Sequence, residues 1–241
     1  MKYSIIIPTL NEEKLLPNIL KQLSEEDLRE KYGYEIIVSD GGSSDNTVKI
    51  AEKFGARIVK NGGKIRTIAK GRNDGARSAK GDILIFINGD VLFENPKEFF
   101  KFVETKFIPS EYSAMTCKVK VFPEEEIRGD RIFHGFYNNY FKSLNKLGMG
   151  MGRGECQVIR KEVFDKVGGN QEHLTAGEDF DLYRRIKMSG KILFADELCV
   201  YESPRRYRKL GYFNVTFSWL KNSVSVVLKK KSLSVEWEQV R

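Results

Sequence analysis

Carboxylates and arginines occur in this sequence where they could support metal binding, proton transfer and phosphate recognition. Asp90 stands alone just past an apolar run in ILIFINGD, and a carboxylate oxygen suits a hard divalent cation. Glu178 and Asp179 are adjacent in AGEDFDLYRRI, where a carboxylate can accept a proton as a general base. Arg205 and Arg206 in ESPRRYRKLGY offer forked donors that match phosphate oxygens. If the chain is an enzyme, these carboxylates must do its acid–base or metal chemistry.

Each of these signals also has a simpler structural interpretation. Asn88-Gly89 is the strongest short hairpin signal, acids favour the first turn of a helix, and arginines are common in solvated loops. The hairpin is disfavoured because the preceding strand is continuously apolar and Pro96 follows too soon for a sustained return strand. The other two interpretations stay open on the residues alone.

Other catalytic chemistries have little support in the sequence. Two histidines are too few for a histidine-based metal site, and no GxSxG elbow accompanies them. The three cysteines are scattered, which predicts neither a zinc site nor a disulfide framework and favours a reduced, cytosolic compartment. GGKIRT lacks the upstream glycine of a phosphate loop, and no strand precedes GMGMGRG as a dinucleotide motif requires. We interpret GMGMGRG as a mobile loop near a substrate.

The apolar pattern predicts the elements that must position these residues. Short, continuously apolar strands alternate with helical stretches through the first half, which is typical of a parallel sheet covered on both faces. We expect one helix over residues 17–32 and a helix after GGSSDNT that Ser44 or Asp45 caps. The second half has no linker and is expected to complete the same sheet. Polar residues follow successive strand ends, where ligands bind in such sheets.

The bulk composition limits the partners without choosing among them. The chain has 241 residues and a net charge of +8, so an anionic partner is favoured: nucleic acid, acidic lipid or a phosphorylated small molecule. The apolar run Ile5–Ile7 is too short for a signal peptide, and no window supplies a spanning helix. We expect a cytoplasmic protein, at most peripheral on the inner face of the membrane.

Residues 211–241 have a pattern of their own. Phe213, Phe217, Leu220, Val224 and Val227 recur at helical spacing, and Trp219 lies beside this stripe. A run of three lysines follows, and then apolar residues alternate to Trp237. The stripe and the lysines predict either an amphipathic helix at a membrane interface or a helix packed on the domain with solvated lysines.

Five segments together resemble family 2 glycosyltransferases of the GT-A fold. They are SIIIPTLNEE, YEIIVSDGGSSDNT, KGRNDGARSAKGDILIFINGD, GECQVIRKEVFDKVGG and AGEDFDLYRRIKMSG, in the order seen in that family. The resemblance covers residues 3–210 and implies an α/β, Rossmann-like, mostly parallel central sheet with helices on both faces. It implies a GT-A domain over 1–210, with a nucleotide-binding half (1–95) and an acceptor and catalytic half (96–210).

The resemblance also implies roles for individual residues. Asp179 falls on the catalytic base with Glu178 beside it, Asp90 on the metal ligand of the DxD motif, and Arg205 and Arg206 on a basic loop over the diphosphate. The positions that match nucleotide and donor contacts are Pro8, Thr9, Asn11, Glu12, Asp40, Lys64, Arg72, Asn88 and Gly89.

Three positions depart from the family pattern. Gly41 stands where a second acid often contacts the base, and Asn88 replaces the first acid of DxD. The usual metal-ligating histidine after the late strand is missing, and Glu202 is the nearest candidate oxygen ligand.

The implied activity is transfer of a sugar, with inversion, from a nucleoside-diphosphate sugar to a glycan or lipid-linked hydroxyl, assisted by Mg²⁺ or Mn²⁺. A polyprenyl phosphate is the alternative acceptor, and it would need no base because it is already ionised. A nucleotidyltransferase is disfavoured because PTLNEEKLLPN has no glycine, whereas Asn88 makes a non-catalytic family member conceivable. A basic nucleic-acid-binding protein is the alternative of another class, but no recognised module supports it and we expect no nucleic-acid partner.

Overall fold

The computed structural model describes residues 2–60 and 67–233 of the chain. Within these ranges, eight strands form one sheet in the order β3-β2-β1-β4-β7-β6-β8-β5. The strands are β1 Tyr3–Thr9, β2 Tyr34–Asp40, β3 Arg57–Lys60, β4 Ile83–Ile87, β5 Val91–Phe93, β6 Tyr112–Val121, β7 Cys156–Arg160 and β8 Lys191–Glu202.

The sheet has a parallel half and a mixed half. Strands β3, β2, β1 and β4 run parallel to one another, as their continuous apolar sequences predict. Strand β7 is antiparallel to both β4 and β6, β8 is parallel to β6, and β5 closes the edge antiparallel to β8. The second half of the chain therefore completes the sheet begun by the first, and the α/β fold class is confirmed.

Ten helices of the described residues cover the sheet. They are α1 Leu16–Leu23, α2 Glu26–Tyr32, α3 Thr47–Lys53, α4 Ile68–Ser78, α5 Pro96–Phe102, α6 Arg128–Lys146, α7 Lys161–Lys166, α8 Glu178–Ser189, α9 Arg205–Leu210 and α10 Tyr212–Lys229. A π-helical turn, Val103–Phe107, continues α5.

The alternating pleat of the strands builds a core on each face of the sheet. Ile5 and Ile7 of β1 pack with α1, α2 and α5, whereas Ile6 between them packs with α4, α7 and α8. A sheet buried on both sides explains why these strands are apolar at every position rather than at alternate ones.

Strand direction brings the polar segments to one edge of the sheet. The carboxyl ends of β1, β2 and β4 lie side by side because these strands are parallel. Strand β7 begins opposite the end of β4, where Cys156 pairs with Ile87, so the glycine-rich loop before β7 reaches the same edge. Strand β8 ends there as well, with Glu202 opposite Val91.

Several local expectations were wrong. Residues 17–32 form two helices instead of one, because Ser24 donates back to the Leu20 carbonyl and α1 ends there. Helix α3 begins after Asn46, and the Asp45 carboxylate instead accepts from the amide of Thr47. The loop that carries the arginines is the short helix α9.

The Asn88-Gly89 turn is not a hairpin. Strand β5, which follows it, pairs with β8 and not with β4. The turn therefore leads the chain from β4 to β5 at the far side of β8. Asp90 lies beside the end of β8, where its backbone carbonyl accepts a hydrogen bond from the amide of Ser203.

The C-terminal stripe forms a helix but is not packed against the domain. All five predicted stripe residues lie on α10 and are exposed, while Val215, Asn222, Ser225 and Val226 on its other face are buried. Among the residues that the structure describes, no helix is both long and apolar enough to cross a membrane. Trp237 and the residues after Leu233 lie outside the described ranges.

We expect Gly75→Ala to destabilise the fold by about 1–3 kcal/mol. A Cβ at this position of α4 would lie 2.4 Å from Cγ2 of Ile6, and a β-branched side chain in a packed strand cannot turn away. Urea unfolding measures the change. Gly135→Ala is the matched control, because its Cβ on α6 meets nothing within 4 Å and should stabilise by up to about 1 kcal/mol. Equal effects of the two substitutions would contradict the close approach of α4 to β1.

Candidate functional site

The ends of β1 and β2 are held together by side chains of the predicted nucleotide-binding turn. Asn11 has a left-handed backbone, with φ of 56°, and its side-chain oxygen accepts from the amide of Ser44 at 2.7 Å. The Asp40 carboxylate accepts from the amides of Gly42 and Ser43 at 3.0 and 3.1 Å. Asn11 and Asp40 therefore shape the two turns, and their predicted contacts with a nucleotide stay predictions.

Three more predicted donor contacts lie beside these turns. Pro8 and Thr9 are buried at the end of β1, and Gly89 is also buried, where an added Cβ would lie 3.6 Å from side-chain atoms of Thr9 and Glu12. The Thr9 hydroxyl has no hydrogen-bond partner within the described part of the chain. A buried hydroxyl without a partner is costly, and the predicted donor contact of Thr9 stays a prediction. Lys64 lies outside the described residues.

Arg205 joins the two carboxylates that stand at the edge of the sheet. Its Nη2 donates to Oε1 of Glu12 at 2.6 Å and to Oδ2 of Asp90 at 3.1 Å. Burial raises the pKa of Glu12 and of Asp90, and the guanidinium partly offsets both shifts. Residues that are far apart in sequence thus share one cation at the predicted donor site. Arg206 is close enough for its charge to act on Asp90 as well.

Arg72 is the buried centre of the site and is only 1% exposed. Its guanidinium donates to Oε1 of Glu178 at 2.8 Å, to Oδ1 of Asn88 at 3.2 Å and to the Gly154 carbonyl at 2.8 Å. A single side chain on α4 therefore fixes the turn after β4, the glycine-rich loop and the start of α8. The resemblance assigns Arg72 to donor binding, and that role stays a prediction.

Asp179 lies at the start of α8 with its carboxylate turned to the same loop. Its Oδ2 accepts from the amide of Gly154 at 3.0 Å. Burial and the neighbouring Glu178 carboxylate raise the pKa of Asp179 to about 7, against the lowering effect of Arg72. A carboxylate with a pKa near neutrality can both take and release a proton at physiological pH, which suits a general base.

Gly154 has a steric reason to be glycine. A Cβ there would lie 2.7 Å from Nη2 of Arg72 and 3.5 Å from Oδ2 of Asp179. The loop predicted to be mobile is instead buried from Gly152 to Gly154 and hydrogen-bonded between α4 and α8.

Sequence reasoning missed a second buried arginine. Arg153 donates to Oε1 of Glu202 at 2.8 Å and to Oε2 of Glu155 at 3.1 Å, and its guanidinium lies 5.8 Å from the ring of Trp219 on α10. His134 of α6 lies within 3.4 Å of the same guanidinium, and burial lowers the pKa of His134 to about 3, so it is neutral. The signal that could have revealed this network is the pair Arg153 and Glu155 on either side of Gly154, directly before β7.

Glu202 is already engaged in this network. Its Oε1 accepts from Arg153 and, at 2.7 Å, from the Tyr207 hydroxyl. Burial and the nearby Glu155 raise the pKa of Glu202 to about 8, so it is largely protonated at neutral pH. A protonated carboxyl is a poor ligand for a cation, and the predicted role of Glu202 in metal binding stays a prediction.

The donor set fits a cation that is shared with a substrate. Within the described ranges, no group of three or more acidic, histidine or cysteine side chains could hold a metal ion. Asp90 supplies one carboxylate, and Mg²⁺ is often held by one or two carboxylates together with substrate phosphates. Within the described residues the protein alone therefore offers no complete set of ligands, and metal binding by Asp90 stays a prediction.

Arg72→Met should destabilise the protein by about 3–5 kcal/mol, because it leaves the Glu178 carboxylate buried without its cation. The matched control is Arg77→Met on the same helix, whose side chain is 59% exposed and whose ion pairs with Asp74 and Glu172 should contribute about 0–1 kcal/mol. Urea unfolding compares the two variants. Adding Glu178→Gln to Arg72→Met should recover part of the loss, and a strictly additive double variant would contradict the direct pairing.

Known proteins resemble this chain in sequence over different lengths. The uncharacterized glycosyltransferase YfnE of Bacillus subtilis is 42% identical over 99 residues, which are 38% of this chain and 24% of that protein. The undecaprenyl-phosphate 4-deoxy-4-formamido-L-arabinose transferase of Proteus mirabilis is 35% identical over 105 residues, 40% of this chain and 31% of that protein. The O-antigen chain rhamnosyltransferase RfbN of Salmonella typhimurium is 25% identical over 245 residues, 91% of this chain and 74% of that protein. The matched part is thus about a quarter of the length of YfnE.

Solved structures share the fold at low sequence identity. The mannosyltransferase PcManGT of Pyrobaculum calidifontis, in complex with GDP-Man and Mn²⁺, has a TM-score of 0.69 at 19% identity and covers 90% of this chain and 64% of its own. Residues 1–349 of Staphylococcus aureus TarS, in complex with UDP-GlcNAc, have a TM-score of 0.63 at 19% identity and cover 84% and 58%. The family model for glycosyl transferase family 2 matches residues 4–168, and with the GT-A fold this shows that the chain belongs to glycosyltransferase family 2.

Proposed function

We propose that the chain transfers a sugar from a nucleoside-diphosphate sugar to an acceptor hydroxyl, with inversion at the anomeric carbon. The observation that carries this proposal is the placement of Asp179, with a pKa of about 7, at the same sheet edge as the Glu12–Arg205–Asp90 cluster. Such a reaction needs a base for the proton of the acceptor hydroxyl and cationic side chains that stabilise the leaving diphosphate. The nucleotide sugars bound by the neighbouring structures support the choice of donor.

Asp179 is the proposed base. As the acceptor oxygen attacks the anomeric carbon, its proton passes to the Asp179 carboxylate and the bond to the diphosphate breaks. One displacement with one base gives inversion. Glu178 does not take the proton, since Arg72 holds it as an ion pair at 2.8 Å. It acts on the reaction by raising the pKa of Asp179.

Arg205 and Arg206 are proposed to receive the charge that grows on the diphosphate as it leaves. In the free protein Arg205 pairs with Glu12 and Asp90, so these carboxylates keep the guanidinium at the sheet edge before the donor arrives. Mg²⁺ or Mn²⁺, held by Asp90 together with the phosphate oxygens, would neutralise the same charge. Pro8, Thr9, Asn11 and Asp40 are proposed to line the nucleotide side of this pocket.

The acceptor is proposed to be a hydroxyl on a glycan or a lipid-linked sugar. A polyprenyl phosphate is ionised before it reacts and needs no base, so the raised pKa of Asp179 favours the hydroxyl. The Proteus mirabilis relative is named as an undecaprenyl-phosphate transferase, which keeps the polyprenyl phosphate as the second candidate.

Activity should depend on pH through Asp179. Its folded-state pKa is raised, so the base form is lost as pH falls below about 7, and kcat/KM should then drop about tenfold per pH unit. Glu178→Gln removes the neighbouring negative charge and should lower the pKa of Asp179, so the fall in kcat/KM should begin at a lower pH. A merely structural effect would instead lower kcat/KM equally at every pH. Asp179→Asn should abolish turnover while donor binding persists. Turnover by Asp179→Asn near the wild-type rate would rule out the assignment.

Donor binding can be tested without turnover. A thermal-shift panel of UDP, GDP, CDP and dTDP sugars should raise Tm with one nucleotide, and more so with Mn²⁺, because ligands that bind the native state stabilise it by mass action. Arg205→Gln should reduce this shift, whereas Lys209→Gln, an exposed position on the same helix, should not. No shift with any donor would overturn the donor site, and a shift independent of Mn²⁺ would overturn the role of Asp90.

A further inference from the structure

Helix α10 carries an exposed apolar face inside a segment without acids. Phe213 and Leu220 are 79% and 59% exposed, and Phe217, Val224 and Val227 continue the stripe at helical spacing. Residues 203–233 contain eight lysines and arginines and no aspartate or glutamate. Lys209, Lys221 and Lys229–Lys231 are exposed positive charges along this segment. A long apolar stripe beside positive charges is complementary to the interface of an anionic bilayer, which attracts both the apolar side chains and the lysines. An uncharged protein partner would attract only the apolar side chains.

The opposite face anchors α10 firmly to the domain. Tyr212 of α10 donates to the buried carboxylate of Asp130 on α6, as does Arg208 of the preceding α9, and these bonds bring the pKa of Asp130 down to about 2 despite burial. The Tyr137 ring of α6 lies 5.4 Å from that of Trp219. The exposed stripe is therefore a fixed surface of the domain and not the unsupported side of a loose tail.

Both ends of this helix adjoin segments that carry residues of the candidate site. At its N-terminal end, α10 follows directly on α9, which supplies Arg205. At its C-terminal end, a Cβ added to Gly177, the residue before Glu178, would lie 3.3 Å from Cγ2 of Val226, and Ser232 accepts from the amide of Thr175 in the same loop. The helix that carries the stripe is thus connected at one end to the arginines and at the other to the loop that precedes the base.

We infer that α10 and the lysines after it dock the protein on an anionic lipid surface, from which a lipid-linked acceptor reaches Asp179. The role as an acceptor route rests on the proposed glycosyl transfer, whereas the docking itself does not. The apolar side chains enter the boundary between headgroups and acyl chains, and the lysines stay at the anionic headgroups. Lys221 lies 4.1 Å from the Phe217 ring, so charge and apolar surface meet on this face.

Sedimentation of the full chain with vesicles tests the docking. We expect pelleting with phosphatidylcholine–phosphatidylglycerol vesicles, little with phosphatidylcholine alone, and loss in high salt. Phe213→Ser with Leu220→Ser should weaken partition by at least about tenfold. Changing Lys229, Lys230 and Lys231 to glutamine should weaken it on the order of a hundredfold, at about fivefold per lysine.

Matched controls separate the surface from bulk properties. Met188→Ser removes an apolar side chain that is 82% exposed on α8, and the triple change of the exposed Lys49, Lys53 and Lys97 to glutamine removes the same net charge elsewhere. Both controls should pellet like the wild type. Equal pelleting of all variants would overturn the inference. It would also be overturned if no form bound vesicles and analytical ultracentrifugation showed a dimer that the serine substitutions dissociate.

Two further measurements distinguish failure of the docking from failure of the proposed function. Asp179→Asn should still bind anionic vesicles, and the serine variants should still show a donor-induced rise in Tm. Loss of vesicle binding by Asp179→Asn would place the lipid contact at the catalytic pocket and overturn docking through α10.

Discussion

The site depends on the burial of one guanidinium. Arg72 is 1% exposed, and a charge removed from water to this extent is tolerated only where its donors meet acceptors on several sides. Those acceptors come from the turn after β4, the glycine-rich loop and the start of α8. Loss of any one of these three acceptors would leave a buried N–H group of Arg72 without a hydrogen bond. Arg72 therefore holds three segments that are distant in sequence in a single arrangement. The pKa of Asp179 follows from that arrangement, because its strongest neighbours are Glu178 and Arg72.

The same principle recurs at two neighbouring positions. Arg205 bridges Glu12 and Asp90, and Arg153 bridges Glu155 and Glu202. In each case an arginine stands between two carboxylates that the fold brings to the end of the sheet. Burial raises the pKa of Glu12, Asp90 and Glu202, and the shared arginine offsets this rise only in part. The edge of the sheet is thus built as three linked ion clusters, and α10 joins the last of them through Trp219.

The sequence predicted the framework of this site better than its contacts. Continuous apolar strands and polar residues at their ends were enough to predict the parallel sheet and to place Asp40 and Asp90 at one edge of it, because strand direction determines which edge they share. The place of Asp179 came from the family resemblance, since this residue begins a helix and follows no strand end. Arg153 was missed, since an arginine in a glycine-rich loop has no period and its partner Glu202 lies at the end of β8, which the sheet order separates from β7 by β6. Likewise the break between α1 and α2 depends on one serine hydroxyl, which carries no signal in hydrophobic periodicity. The exposure of the α10 stripe could not be predicted either, because helical spacing defines a face but does not say what covers it.

Charge balance gives a physical reason for the single acid at the DxD position. Six acids surround the site, namely Glu12, Asp90, Glu155, Glu178, Asp179 and Glu202, against four arginines, Arg72, Arg153, Arg205 and Arg206. With pKa values of about 7 and 8, Asp179 and Glu202 are partly and largely protonated at neutral pH, so the remaining charges nearly cancel. An acid in place of Asn88 would add a buried negative charge beside Glu178, and the pair would compete for Arg72. The amide of Asn88 instead accepts from Arg72 without adding charge. A diphosphate that enters such a balanced site brings an excess of negative charge, which is the physical reason that a divalent cation would bind together with the donor and not before it.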